Sequence, residues 1–95
     1  MSKPETIVEP DLERLTQLLP PYAVILHNDD HNAMDYVVVA LVKPVPSLSP
    51  DEAIEVMLEA HSHGQATVII CPLELAELYC DRLQGFGLTA TIEKP

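Results

Sequence analysis

The sequence predicts an α+β sandwich, with elements in the order β-α-α-β-α-β and a three-stranded antiparallel sheet packed on three helices. Three observations predict it. Short β-branched apolar runs recur at Tyr22–His27, Ala66–Cys71 and Leu88–Glu93, each of strand length. The segments between them carry helix punctuation, above all a Ser-Pro start and a glycine stop. The 95 residues, 47% of them hydrophobic, suffice for one compact domain with a small core.

Residues 1–21 read as a flexible N-terminal arm. Leucines at 12, 15, 18 and 19 allow a helical turn or two, which Pro20-Pro21 ends, because proline disfavours helix in the residue before it. The domain proper, 22–95, opens with the strand Tyr22–His27. A first helix is expected from Asn32 or Ala33 to Val42, although Val37-Val38-Val39 weakens its propensity and would equally suit a strand. Lys43-Pro44-Val45-Pro46-Ser47-Leu48 is a proline-stiffened connection.

The second helix is the most strongly signalled. Ser49 at the N-cap, Pro50 at the first helical position and Glu52 three residues after the cap make a capping box. Ile54, Met57, Leu58 and His61 fall at i, i+3, i+4 and i+7, one face of the helix, and Gly64 supplies the stop. After the strand Ala66–Cys71, Pro72 starts a third helix running to about Gln84. Gly85-Phe86-Gly87 ends it, and Leu88–Glu93 alternates as a half-buried last strand.

Fifteen acids against five Lys and Arg give a net charge of −10. A field of that sign repels phosphate backbones and anionic lipid, so nucleic acid and membrane surfaces are excluded as partners and cationic ones favoured. No apolar run approaches bilayer length, and Met1-Ser2-Lys3-Pro4-Glu5 lacks a signal-peptide pattern. Cys71 and Cys80, nine residues apart, read as a reduced pair.

Function is concentrated at the end of the first strand, in Asn28-Asp29-Asp30. The plainest role for such a turn is to cap the next helix. Two carboxylates and an amide at the rim of apolar packing also make an acceptor-rich seat for a small cation such as an ammonium group, which has donors only. His61, on the face with Met57, is either a satisfied core histidine or a further acceptor. Met34 and Met57 are core filler or the adaptable lining of a cleft. The four histidines, His27, His31, His61 and His63, lack the spacing that makes two metal ligands converge from one helix. No nucleophile motif or phosphate-cradling loop is present, and no cofactor is implied.

These residues carry a resemblance. Tyr22-Ala23-Val24-Ile25-Leu26-His27-Asn28-Asp29-Asp30, Met34, Val37, Ala53, Met57-Leu58-Glu59-Ala60-His61, Gly64 and the ending Leu88-x-x-Thr91-Ile92-Glu93-Lys94 resemble the ClpS family over Pro20 to Lys94. Its members are adaptors that hand proteins with destabilising N-terminal residues to Clp-type AAA+ unfoldases. The resemblance implies a non-enzymatic, monomeric, cytoplasmic or plastid-stromal protein whose partners are a ClpA- or ClpC-type unfoldase and substrate N-termini. It implies that Asn28, Asp29, Asp30 and His61 hold the substrate α-amino group. Leu26, Asn32, Met34, Val37, Met57, Ala60 and Leu88 would line the side-chain pocket, with Met34 hindering β-branched first residues. Glu74 would face the unfoldase, and residues 1–21 match a delivery arm. Asn32 departs from a common threonine, His27 from an aliphatic residue, Ala60 from valine and Tyr79 from a basic residue. Two rivals stand beside this reading. One is a small metal-binding protein or metal-dependent hydrolase using His27, Asp29, His31 and His61; the other is a ribosome-stalk-like interaction module with no pocket.

Overall fold

The computed structural model describes residues 19–95. The elements follow the expected order: β1 (Pro21–His27), α1 (Met34–Val42), α2 (Pro50–His63), β2 (Gln65–Pro72), α3 (Leu73–Gly85) and β3 (Thr89–Glu93). β1 is the central strand of a β2-β1-β3 sheet, antiparallel to both neighbours. Its four middle residues, Ala23 to Leu26, are all buried, which is why the sequence there runs apolar without alternating. Of the proposed arm, residues 1–18 lie outside the described residues, and Pro21 already belongs to β1.

α1 is a helix despite its three valines. Ala40 and Leu41 are fully buried and Val37, Val38 and Val42 pack partly against the core. A nine-residue helix owes its stability to that packing far more than to propensity. The connection after it does more than join helices. Pro44, Val45 and Leu48 are buried, and a turn closes through Leu48 N–H donating to the Val45 carbonyl at 3.0 Å.

α2 begins as expected. The Ser49 hydroxyl accepts from Glu52 N–H at 3.1 Å and the Glu52 carboxylate accepts from Ser49 N–H at 2.9 Å. Those bonds hold the Glu52 carboxyl below the usual carboxylate range. A carboxyl with a lowered folded-state pKa stabilises above its unfolded pKa, and that contribution disappears as pH falls through the folded value. Ser49→Ala removes the cap at a cost of about 1 kcal/mol, so the thermal midpoint is expected to fall by about 4–8 °C, as read by circular dichroism.

The inward face of α2 differs from the expected one. Ala53 and Ala60 are buried with Val56 and Met57 beside them, whereas Ile54 and Leu58 are 41% and 48% exposed. The burial stripe is rotated by one residue, about 100°. Two alanines seven residues apart let the helix backbone lie close to its neighbours, a fit that a hydrophobicity count overlooks. α3 likewise starts one residue later than expected. Pro72 is the last residue of β2 and the N-cap, and Ala76, Cys80 and Leu83 face inward while Leu73, Leu75 and Leu78 stay exposed.

Leu41, Leu83, Val24 and Val45 are the largest fully buried side chains. Cys71 and Cys80 are both free and buried. Burial pushes both thiols up, with Asp81 adding to the effect at Cys80, so both are protonated and unreactive at neutral pH.

Candidate functional site

The site is assembled where β1 ends against the last turn of α2. Gly64 closes α2 in the left-handed conformation, φ 91°, with its N–H on the Ala60 carbonyl at 2.8 Å. Glycine takes that conformation without the Cβ penalty of other residues. The Gly64 carbonyl in turn accepts the Asn28 N–H at 2.9 Å. One backbone bond therefore joins the acidic turn to the end of α2 and brings Asn28 and His61 to the same opening.

Between them lies a cleft of about 230 Å³. Its apolar wall comes from Leu26, Met34, Val37, Met57 and Ala60, and its polar rim from Asn28, Asp29, Asp30, Asn32 and His61. Drug-sized ligands occupy roughly 300–1,000 Å³, so this volume suits a single amino-acid side chain. Met34 is 44% exposed at the mouth; Val37 and Met57 are half-buried, and Ala60 is buried. Among the described residues, no lysine or arginine lines the opening.

The rim residues differ in what they already bind. The Asp29 carboxylate is engaged within its own turn: Oδ1 accepts from His31 N–H at 2.9 Å, Asn32 N–H at 3.1 Å and Asn32 Nδ2 at 3.2 Å, and Oδ2 from Asn32 Nδ2 at 3.3 Å. Helix capping is not its task, because the N-cap of α1 is Ala33, which makes no side-chain bond. Asn28, Asp30 and His61 are exposed. Among the described residues their side chains have no hydrogen-bond partner, leaving acceptors open at the rim.

One residue expected in the pocket wall stands elsewhere, and Glu74, expected on another surface, lies apart from the cleft. Leu88 is 4% exposed and belongs to the core cluster rather than to the lining. Its N–H closes the end of α3 on the Leu83 carbonyl at 3.1 Å. Glu74 is exposed in the first turn of α3, apart from the lining residues.

His27 touches the cleft, yet its ring nitrogen Nε2 pairs with Thr91 Oγ1 at 2.7 Å. Side chains alternate along a strand, so the inward Leu26 leaves the His27 ring on the opposite face of the sheet. With Asp29 also engaged, the proposed His27, Asp29, His31 and His61 set is not assembled. No group of three or more His, Cys, Asp or Glu gathers among the described residues. Sequence reasoning missed the ties from α1 to the α3–β3 loop: Tyr36 donates its hydroxyl to the Phe86 carbonyl, and Asn32 Nδ2 donates to the Gly87 carbonyl at 3.0 Å. These partners are 50 and 55 residues apart in the chain, and no local signal announces such a pairing.

Comparison with known proteins bears on the family and the fold. Residues 17–91 match the family described as "ATP-dependent Clp protease adaptor protein ClpS". A ClpS adapter of the ATP-dependent Clp protease from Synechococcus elongatus is 46% identical over 89 residues, 94% of each chain. A chloroplastic Clp protease adapter of Arabidopsis thaliana is 45% identical over 83 residues, 87% of this chain and 52% of the relative. Among solved structures, Agrobacterium tumefaciens ClpS2 bound to L-phenylalaninamide superposes with a TM-score of 0.74 at 30% identity, covering 80% of this chain and 98% of that one. The α+β fold is thus that of a protein adaptor rather than an enzyme, and its partner is a Clp ATPase. The chain, with its acceptor-rimmed cleft beside β1, belongs to the ClpS family of Clp protease adaptors.

Proposed function

We propose that this adaptor captures the free α-amino group and the bulky apolar first residue of a polypeptide, and delivers that chain to a ClpA- or ClpC-type unfoldase. The observation that carries this reading is the pairing of unengaged acceptors, Asn28, Asp30 and His61, with an apolar cleft sized for one side chain. A free α-amino group is cationic near neutral pH and offers donors only. An internal residue presents one amide N–H and no charge, so it covers those acceptors without pairing them, at roughly 1–3 kcal/mol for each one it buries. Burial of a Leu or Phe side chain adds about 1.5–3 kcal/mol.

L-Phenylalaninamide, the ligand of the Agrobacterium relative, has the same two features: a free α-amino group and an apolar side chain. Asp29 contributes to the rim mainly as a charge behind the turn, since its Oδ1 already accepts three bonds and its Oδ2 one. Met34, exposed at the mouth, is placed to hinder β-branched first residues. The acidic, exposed start of α3 at Glu74 is the proposed unfoldase-facing surface, and the residues that precede β1 the delivery arm. The adaptor acts as a monomer, in the cytoplasm or the plastid stroma, a reading supported by its having both bacterial and chloroplastic relatives.

The test is calorimetry with peptides beginning with Leu, Phe, Tyr or Trp, each against its N-acetylated form. Acetylation is expected to weaken binding at least about 100-fold, the equivalent of two tenfold steps of 1.4 kcal/mol. Equal affinity for both forms would end the proposal.

A further inference from the structure

We propose that Asn32 is a positioning residue for N-terminus capture. On this view its side-chain amide fastens the far end of the 28–32 turn, so that Asp30 is held at the cleft mouth. This inference rests on the adaptor reading above and deepens it. Asn32 lines the cleft, and seen from the sequence it is simply a longer replacement for threonine in the wall. Its contacts give it another task.

The Nδ2 group lies 3.2 and 3.3 Å from the two Asp29 oxygens and 3.0 Å from the Gly87 carbonyl. A carboxylate and a backbone carbonyl only accept, so the nitrogen end of the amide must face them. One hydrogen is shared between the Asp29 oxygens and the other goes to Gly87. The amide thereby joins the acidic turn to the loop between α3 and β3.

The turn is now fixed at both ends. Asn28 N–H is held by the Gly64 carbonyl at the end of α2, and Asn32 Nδ2 by the Gly87 carbonyl. Asp30 sits midway between the two ties, exposed and unpartnered among the described residues. His31 N–H and Asn32 N–H also converge on Asp29 Oδ1, so Asp29 and Asn32 act as one unit. A nearby second tie, from the Tyr36 hydroxyl to the Phe86 carbonyl, holds the start of α1 against the same loop. Without Asn32 the Asp29 carboxylate keeps its two backbone partners but loses the link to Gly87. The turn then swings from one end, and Asp30 spends less time facing the bound ammonium.

A positioning role separates cleanly from a wall role. Asn32→Ala should weaken binding of peptides beginning with Phe, Leu and Tyr by one common factor of about tenfold, because the loss acts through the α-amino contact that all three share. In an Asp30→Ala background the same substitution should cost less than twofold, since residues acting as a unit are not additive. Hydrogen exchange at the His31 and Asn32 backbone amides, measured without peptide, should accelerate at least tenfold in Asn32→Ala. Asn32→Ser, which keeps one donor, should give an intermediate affinity and provides the comparison if the alanine variant melts early. A loss that varies with the first residue, or that persists in full without Asp30, would overturn the proposal. Wild-type indifference to N-acetylation would instead sink the adaptor reading, and unchanged exchange in Asn32→Ala would refute the clasp on its own.

Discussion

Replacing Asn28 and Asp30 together by alanine is expected to reduce affinity for a phenylalanyl peptide by at least about 100-fold, with the thermal midpoint almost unchanged. Hydrogen bonds to a charged group contribute about 1.5–3 kcal/mol each, and 1.4 kcal/mol is tenfold in affinity. The two rim groups are close enough to couple, so the sum is discounted, and 100-fold is the resulting lower estimate. Stability is spared because both side chains are exposed and, among the described residues, unpartnered. The structural bond of Asn28 is its backbone N–H to Gly64, which alanine retains. The residual affinity should depend less on salt than that of the wild type, since one exposed rim charge, screened over about 10 Å at 0.1 M ionic strength, has been removed while Asp29 remains. Asp29→Ala gives the contrasting result. It removes the acceptor of two backbone N–H groups and of the Asn32 amide, so it lowers both affinity and thermal midpoint. Equal affinity in wild type and the Asn28/Asp30 double variant would remove the rim from the recognition mechanism.

That asymmetry between neighbouring aspartates shows where sequence reading stops. β1 was legible because a central strand buried on both faces needs an unbroken apolar run, and the start of α2 because a capping box is a local code. The acceptor cluster Asn28-Asp29-Asp30 is likewise visible in the sequence as local chemistry suited to an ammonium group. The resemblance then named His61, which local pattern alone left between core and rim. Whether a given carboxylate is open or engaged depends on the dihedral angles of one turn, and Asp29 and Asp30 are interchangeable in composition. The buried face of α2 was misread because Ala53 and Ala60 register as weakly hydrophobic, yet close approach favours them over Ile54 and Leu58. Leu88 is assigned to the wall by resemblance alone, whereas it is buried in the core cluster. The link from Asn32 to Gly87 depends on tertiary closure across 55 residues.

The largest loss of stability is expected from Leu41→Ala, with Ile54→Ala as its counterpart. Leu41 is fully buried on α1, and truncating a buried leucine costs about 2–5 kcal/mol, the transfer loss plus the cavity left behind. A domain of this size holds roughly 5–15 kcal/mol in all, so the thermal midpoint should drop by at least about 10 °C. The effect reaches the cleft because α1, too short to persist unpacked, carries both Met34 and Val37. Peptide affinity measured below the transition should therefore fall as the helix loosens, even though Leu41 itself does not line the opening. Ile54 is the same kind of side chain, lost from a helix flank that is 41% exposed. Its replacement should shift stability by no more than about 0.5 kcal/mol and leave capture intact. Read from the hydrophobic pattern alone, Ile54 lies on the inward stripe of α2 and should rival Leu41. Similar melting of the two variants would therefore restore that stripe and displace Ala53 and Ala60 from the interface, and with them the placement of His61 at the rim.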